Sequence, residues 1–143
     1  MNAKDFIDFA AKIAATYSDA AACRSSISRA YYGAFHIAKS FLDRLGSRPF
    51  QNANAHIFVQ HRLMNCGHHQ AVRAGRFLRD LFRDRLLADY SLPVRRVENV
   101  EYARVAVESA REVQSLIEAC ACDEAIVQIK AGLADYERRI SGT

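Results

Sequence analysis

The sequence predicts an all-α domain, an up-and-down bundle of about five to six helices. Three observations predict it. Only 6 Gly and 2 Pro occur in 143 residues, too few breaks for a strand-and-turn architecture. Apolar side chains recur three and four residues apart through most of the chain, the spacing of helices with one buried face. No segment alternates apolar and polar residues for long enough to read as a strand.

The elements follow in order. Phe6, Ile7, Phe9, Ala10, Ile13 and Ala14 sit at helical spacing within Asp5–Thr16. Ser18 and Asp19 then offer caps to a long second helix ending near Leu45, with Gly46 to terminate it. Its buried face is Ile27, Tyr31, Ala34, Phe35, Ala38, Phe41, Leu42 and Leu45. A loop over Gly46–Asn54 contains Pro49, and a third helix spans Ala55–Asn65 before Gly67. The fourth runs from about Gln70 to about Asp89, with the stripe Ala74, Leu78, Leu81, Phe82, Arg85 and Asp89. Asn99 is expected to cap a fifth helix, and Asp123 a last one reaching Ile140.

Composition narrows the class. Apolar residues make up 50% of the chain and charged ones 25%, which suits a single folded domain over 1–143 and excludes a disordered one. The longest stretch without a formal charge, Pro49–His61, is polar and too short to span a bilayer. Met1–Ala15 contains Asp5 and Asp8 where a secretion signal would be basic and then apolar, so a cytoplasmic location is expected. A net charge of +4 invites an acidic partner without demanding one. Its distribution says more, because Arg73, Arg76, Arg79, Arg83 and Arg85 crowd into one helix. Of the cysteines, Cys120 and Cys122 stand too close together for a zinc knuckle. Neither a metal site nor a cofactor is expected.

Two segments carry polar residues where a plain bundle would use Leu or Ala. In Arg24–His36, the side chains of Arg29, Tyr32 and His36 share one side of the second helix. In Arg83–Tyr90, Arg85 and Asp89 are four apart on the apolar stripe, so both are expected to be buried and paired, joined across the bundle by Arg29 or Tyr31. Arg83 instead shares an outward row with Arg73 and Arg76, suited to solvent or phosphates. Structural ion pairing accounts for such clusters as readily as catalysis does.

The run Ser28-Arg-Ala-Tyr-Tyr-Gly-Ala-Phe-His36 resembles the signature of small prokaryotic HEPN proteins. It is followed by Arg85-Leu-Leu-Ala-Asp-Tyr90, which resembles the R-x-x-A-D-Y run of one HEPN subgroup. The resemblance covers most of the chain, from the second helix to the fifth. It implies a homodimeric bundle, RNA or a nucleotide as ligand, and a nucleotidyltransferase-like antitoxin as partner. It also implies Arg83, Arg85, Asp89 and Tyr90 as candidate catalytic residues. Helical spacing adds Arg29, Tyr32 and His36 on one face, and Arg73 and Arg76 on the row with Arg83, as candidate RNA or phosphate contacts, and RNA binding is expected to run through that row. A Tyr in the register of Tyr90 is moreover a target for nucleotide transfer in such proteins.

Many HEPN proteins are metal-independent ribonucleases that use an Arg followed after about four to six residues by a His. Read from Arg83 to Tyr90, the His position here holds Ala88. Arg62 with His68 or His69 matches the spacing numerically, but Gly67 interrupts that stretch. The expectation is therefore a binding protein with weak or absent cleavage. An active endoribonuclease and a structural dimerisation module are the alternatives.

Overall fold

The computed structural model describes residues 1–49 and 54–142. Among them are six α-helices and no strand: α1 Lys4–Thr16, α2 Ala20–Arg44, α3 Ala55–Asn65, α4 His69–Tyr90, α5 Val100–Ala119 and α6 Asp123–Ser141. The all-α helical bundle read from the sequence is what forms. A single 3-10 turn, Arg96–Glu98, lies between α4 and α5 and was not expected. Part of the Gly46–Asn54 loop falls outside the described residues.

Side chains start most of the helices where the sequence placed them. Asp19 accepts from Ala22 N at 3.0 Å, and Asn54 from His56 N at 3.0 Å. Asn99 accepts from Glu101 N at 2.8 Å and Tyr102 N at 3.2 Å. Each satisfies amides that have no partner inside the helix. The exceptions are α1, whose N-cap is Ala3, and α6. Cys122 is the N-cap of α6 and makes no side-chain bond, while Asp123, expected as the cap, is already the first helical residue. From there Asp123 and Glu124 act on the helix dipole rather than on a single amide. At the other end of α2, Gly46 takes φ 81°, and Ser47 N donates to Leu42 O at 2.9 Å, closing the helix.

The long α2 is the hub, packed on α1, α4, α5 and the 3-10 turn, while α3 bridges α4 and α6. Its predicted stripe is buried, except that Leu45 is only half-buried. It faces Ala103, Ala106, Ala110, Val113 and Ile117, all buried on α5. Each large side chain removed from water contributes about 1.5–3 kcal/mol, so this stripe dominates the cohesion of the bundle.

Candidate functional site

The polar residues of α2 and α4 meet where those helices pack. Arg85 is 9% exposed. Its Nε donates to Asp89 Oδ2 at 2.9 Å and its Nη2 to Tyr32 Oη. Ser28 Oγ donates to the same Asp89 oxygen at 3.1 Å, and Arg29 Nη2 lies 3.4 Å from Ser28 Oγ. The expected Arg85–Asp89 pair therefore exists. Asp89, however, keeps 29% of its side chain exposed, which corrects the expectation that both would be buried. The reason is axial position: Asp89 lies one turn nearer the end of α4, where the helix emerges from the bundle. Ser28 and Tyr32 provide the cross-helix hydrogen bonds, with Arg29 joining through Ser28 Oγ and the Tyr32 ring.

Aromatic rings surround these charges. The Arg85 guanidinium lies 4.9 Å from the Tyr32 ring centroid and 5.5 Å from that of Tyr90. Arg29 lies over Tyr32 at 5.0 Å and over Phe6 of α1 at 5.5 Å. Phe6 stacks in turn on His36, with centroids 6.0 Å apart and planes at 15°. Arg29, Tyr32 and His36 thus share a face as the spacing predicts. Phe6, which the sequence marked only as core of the first helix, completes it.

A second imidazole arrives from α3. His56 lies between Phe35 and Phe82, at 4.4 and 5.4 Å between centroids, with its Nδ1 2.5 Å from Tyr31 Oη. Burial lowers the pKa of His56, and the nearby Arg85 and His36 lower it further. Burial also raises the pKa of Tyr31 well above the phenol range. Both shifts favour the uncharged forms, so the pair is a neutral phenol hydrogen-bonded to a neutral imidazole. Burial, with Lys39 adding to it, lowers His36 as well, although its ring is exposed. Sequence reasoning missed His56 because it is far from both motifs along the chain. Its only early signal was a His at the start of the third helix.

Other candidates lie elsewhere. Ala88, at the position where the ribonuclease pattern has its His, is 3% exposed and offers no side chain to a substrate. Arg83 is two residues from Arg85, about 200° round the helix, and faces the α4–α5 groove beside Asp84 and Tyr102. Arg73 and Arg76 are exposed on the same outer side as Arg83. Arg73 lies 3.7 Å from Glu112 and Arg83 3.9 Å from Asp80, so their charges are partly countered. The structure groups Arg29, Tyr32, His36, Arg85, Asp89 and Tyr90 and leaves the Arg73–Arg76–Arg83 row apart. Arg62 packs over Phe58, away from His68, which lies 3.8 Å from Cys120 Sγ.

Arg24, ahead of the motif, has a structural task. Its Nη1 donates to Leu87 O at 3.1 Å and Ala88 O at 2.9 Å. Its Nη2 reaches Leu92 O at 3.0 Å, Val94 O at 2.8 Å and Glu98 Oε1 at 3.2 Å. It thereby neutralises the carbonyl end of α4 and ties down the loop that follows.

Among the described residues, no group of three or more His, Cys, Asp or Glu side chains is placed to hold a metal ion. No described helix is long and apolar enough to cross a membrane. Comparison with known proteins gives no match to a family model, to a curated protein or to a solved structure.

Proposed function

We propose that the chain is a HEPN-type protein that binds RNA or a nucleotide on the α1–α2–α4 face, working as a homodimer with a nucleotidyltransferase-like partner. One observation carries the binding reading: Phe6, Tyr32 and His36 present rings beside the Arg29 guanidinium, around an Arg85 already fixed by Tyr32 and Asp89. Rings and guanidinium planes stack on bases without regard to sequence, and a guanidinium pairs with phosphate. Arg85, being buried, positions Tyr32 and Asp89, while Arg29, His36 and Tyr90 are left to meet the ligand. The partner assignment rests on the resemblance of the two motif runs. Tyr90 is 72% exposed, so its phenol is accessible to a nucleotide-transferring partner.

The test is fluorescence anisotropy with a labelled single-stranded RNA. Arg29→Ala and His36→Ala are expected to weaken binding by roughly tenfold, the scale of one lost stacking or ionic contact. Arg76→Ala is expected to change it little. Loss in Arg76→Ala with retention in the other two would move the interface to the outer row of α4.

A second reading, ribonuclease activity, is favoured by the two imidazoles that reach this face from α2 and α3. His36 has a lowered pKa, so its neutral form, the one able to take a proton from a ribose 2′-hydroxyl, persists below the ordinary value of 6.5. Under this reading, cleavage of total RNA in a metal chelator holds up to slightly acidic pH and is lost in His36→Ala. RNA left intact by the wild-type protein removes the reading.

A further inference from the structure

A separate cavity of about 460 Å³ lies where the end of α2 meets α3 and the end of α6. Its wall includes Ser47, Arg48, Phe58, Arg62, Glu137 and Ile140. Two polar groups on that wall have no hydrogen-bond partner. Ser47 is 7% exposed, and its Oγ bonds to nothing. Arg62 has 12% of its side chain exposed, and its buried Nε makes no hydrogen bond. The guanidinium carbon lies over the Phe58 ring, 4.0 Å from its centroid, and 5.2 Å from that of Tyr136. Its nearest acid, Glu137, stands 3.7 Å from Nε and is half exposed, too distant to satisfy the donor.

Buried polar groups are almost always bonded, and a buried guanidinium N–H left without a close acceptor is costly. A single water needs only about 10–15 Å³ of such space, so this cavity is far larger than one bridging water requires. The helix ends beside it do not supply the missing acceptors. Leu42 O and Asp43 O are already used by Ser47 N and Gly46 N, and Arg138 O by Ser141 Oγ. Two guanidinium groups against one carboxylate leave the wall cationic, while Phe58 and Ile140 make the rest apolar.

We propose that this cavity binds a small organic anion, its carboxylate or phosphate held by Arg62, Arg48 and the Ser47 hydroxyl and its apolar body lying on Phe58 and Ile140. Glu137 then acts as a competing internal anion that the ligand displaces. The site is distinct from the α1–α2–α4 face and does not depend on the reading given to that face.

The experiment is a protein-observed NMR titration of the full chain with phenyl phosphate and, in a second arm, benzoate. Saturable shifts are expected around Phe58, Arg62 and Ile140, and the arm with the tighter affinity identifies the oxyanion. Arg62→Met is expected to weaken binding by roughly tenfold or more, whereas Glu137→Gln strengthens it by relieving the competition. Arg48→Ala, at an exposed position, gives a second reading should Arg62→Met fail to fold. Arg104→Ala, at an exposed position on α5, is expected to bind both probes as the wild type does. Absence of saturable shifts with either probe, or affinity unchanged in both Arg48→Ala and Glu137→Gln, overturns the proposal.

Discussion

Arg24 and Arg85 are buried to the same degree yet held differently. Arg24 spends its donors on carbonyls of the α4 end and the following loop, with only Glu98 as a charged partner. Replacing it with Met would strand those carbonyls and Glu98 together, a loss of about 3–5 kcal/mol that a thermal melt would register as a large fall in Tm. Asp89→Ala is expected to cost less, about 1–2 kcal/mol, because Asp89 faces water and Arg85 keeps its bond to Tyr32. Equal losses in the two variants would contradict this contrast. The i,i+4 register of Arg85 and Asp89 was legible in the sequence. Which of the two stays wet was not, since that depends on where α4 leaves the bundle. The role of Arg24 was hidden for a similar reason: its partners are backbone carbonyls about 63 to 70 residues away, whose path no local pattern encodes.

At the scale of elements, boundaries were read well wherever a side chain makes them. Asn54 and Asn99 cap α3 and α5 because their amide oxygens reach two backbone N–H groups each. Asn99→Ala is expected to cost about 1 kcal/mol in a denaturant titration, with an unchanged m-value. The misreading at Asp123 has the same origin in reverse, as an acid near a helix start serves the dipole or the cap, and sequence does not say which. Gly132 was also illegible. On α6 it passes so close to the α3–α4 turn that an added Cβ would sit 1.7 Å from Cys66 O, a backbone atom that cannot swing aside. Gly132→Ala is therefore expected to push α6 off its seat and lower Tm, despite the higher helix propensity of Ala. A variant as stable as the wild type would refute that packing.

At the scale of the whole molecule, three imidazoles from three parts of the chain, His36, His56 and His68, have pKa values lowered chiefly by burial. A group with a folded pKa below its unfolded value of 6.5 takes up protons more readily when unfolded. Its stabilisation is present above that value and is lost as pH falls through it toward the folded pKa. Tm is expected to drop between about pH 7 and pH 5, and less steeply in His56→Gln, a comparison of slopes rather than of absolute stability. Identical slopes would mean that His56 is not held neutral.

The same scale shows why the functional face was only partly legible. The sequence could place Arg29, Tyr32 and His36 on one side of a helix and Arg85 with Asp89 on another. It could not say that Phe6 and His56 would join them from elements with no motif. The divergence of Arg83 from Arg85, by contrast, was legible, because helical spacing puts Arg83 on the outward row of Arg73 and Arg76. The most direct test of that face is an NMR titration with a short single-stranded RNA, followed through backbone amides and imidazole signals. Shifts are expected at Phe6, Arg29, Tyr32, His36 and Tyr90, fading as salt is raised because phosphate contacts release counterions. Shifts confined to Arg73, Arg76 and Arg83, or none at all, would contradict it.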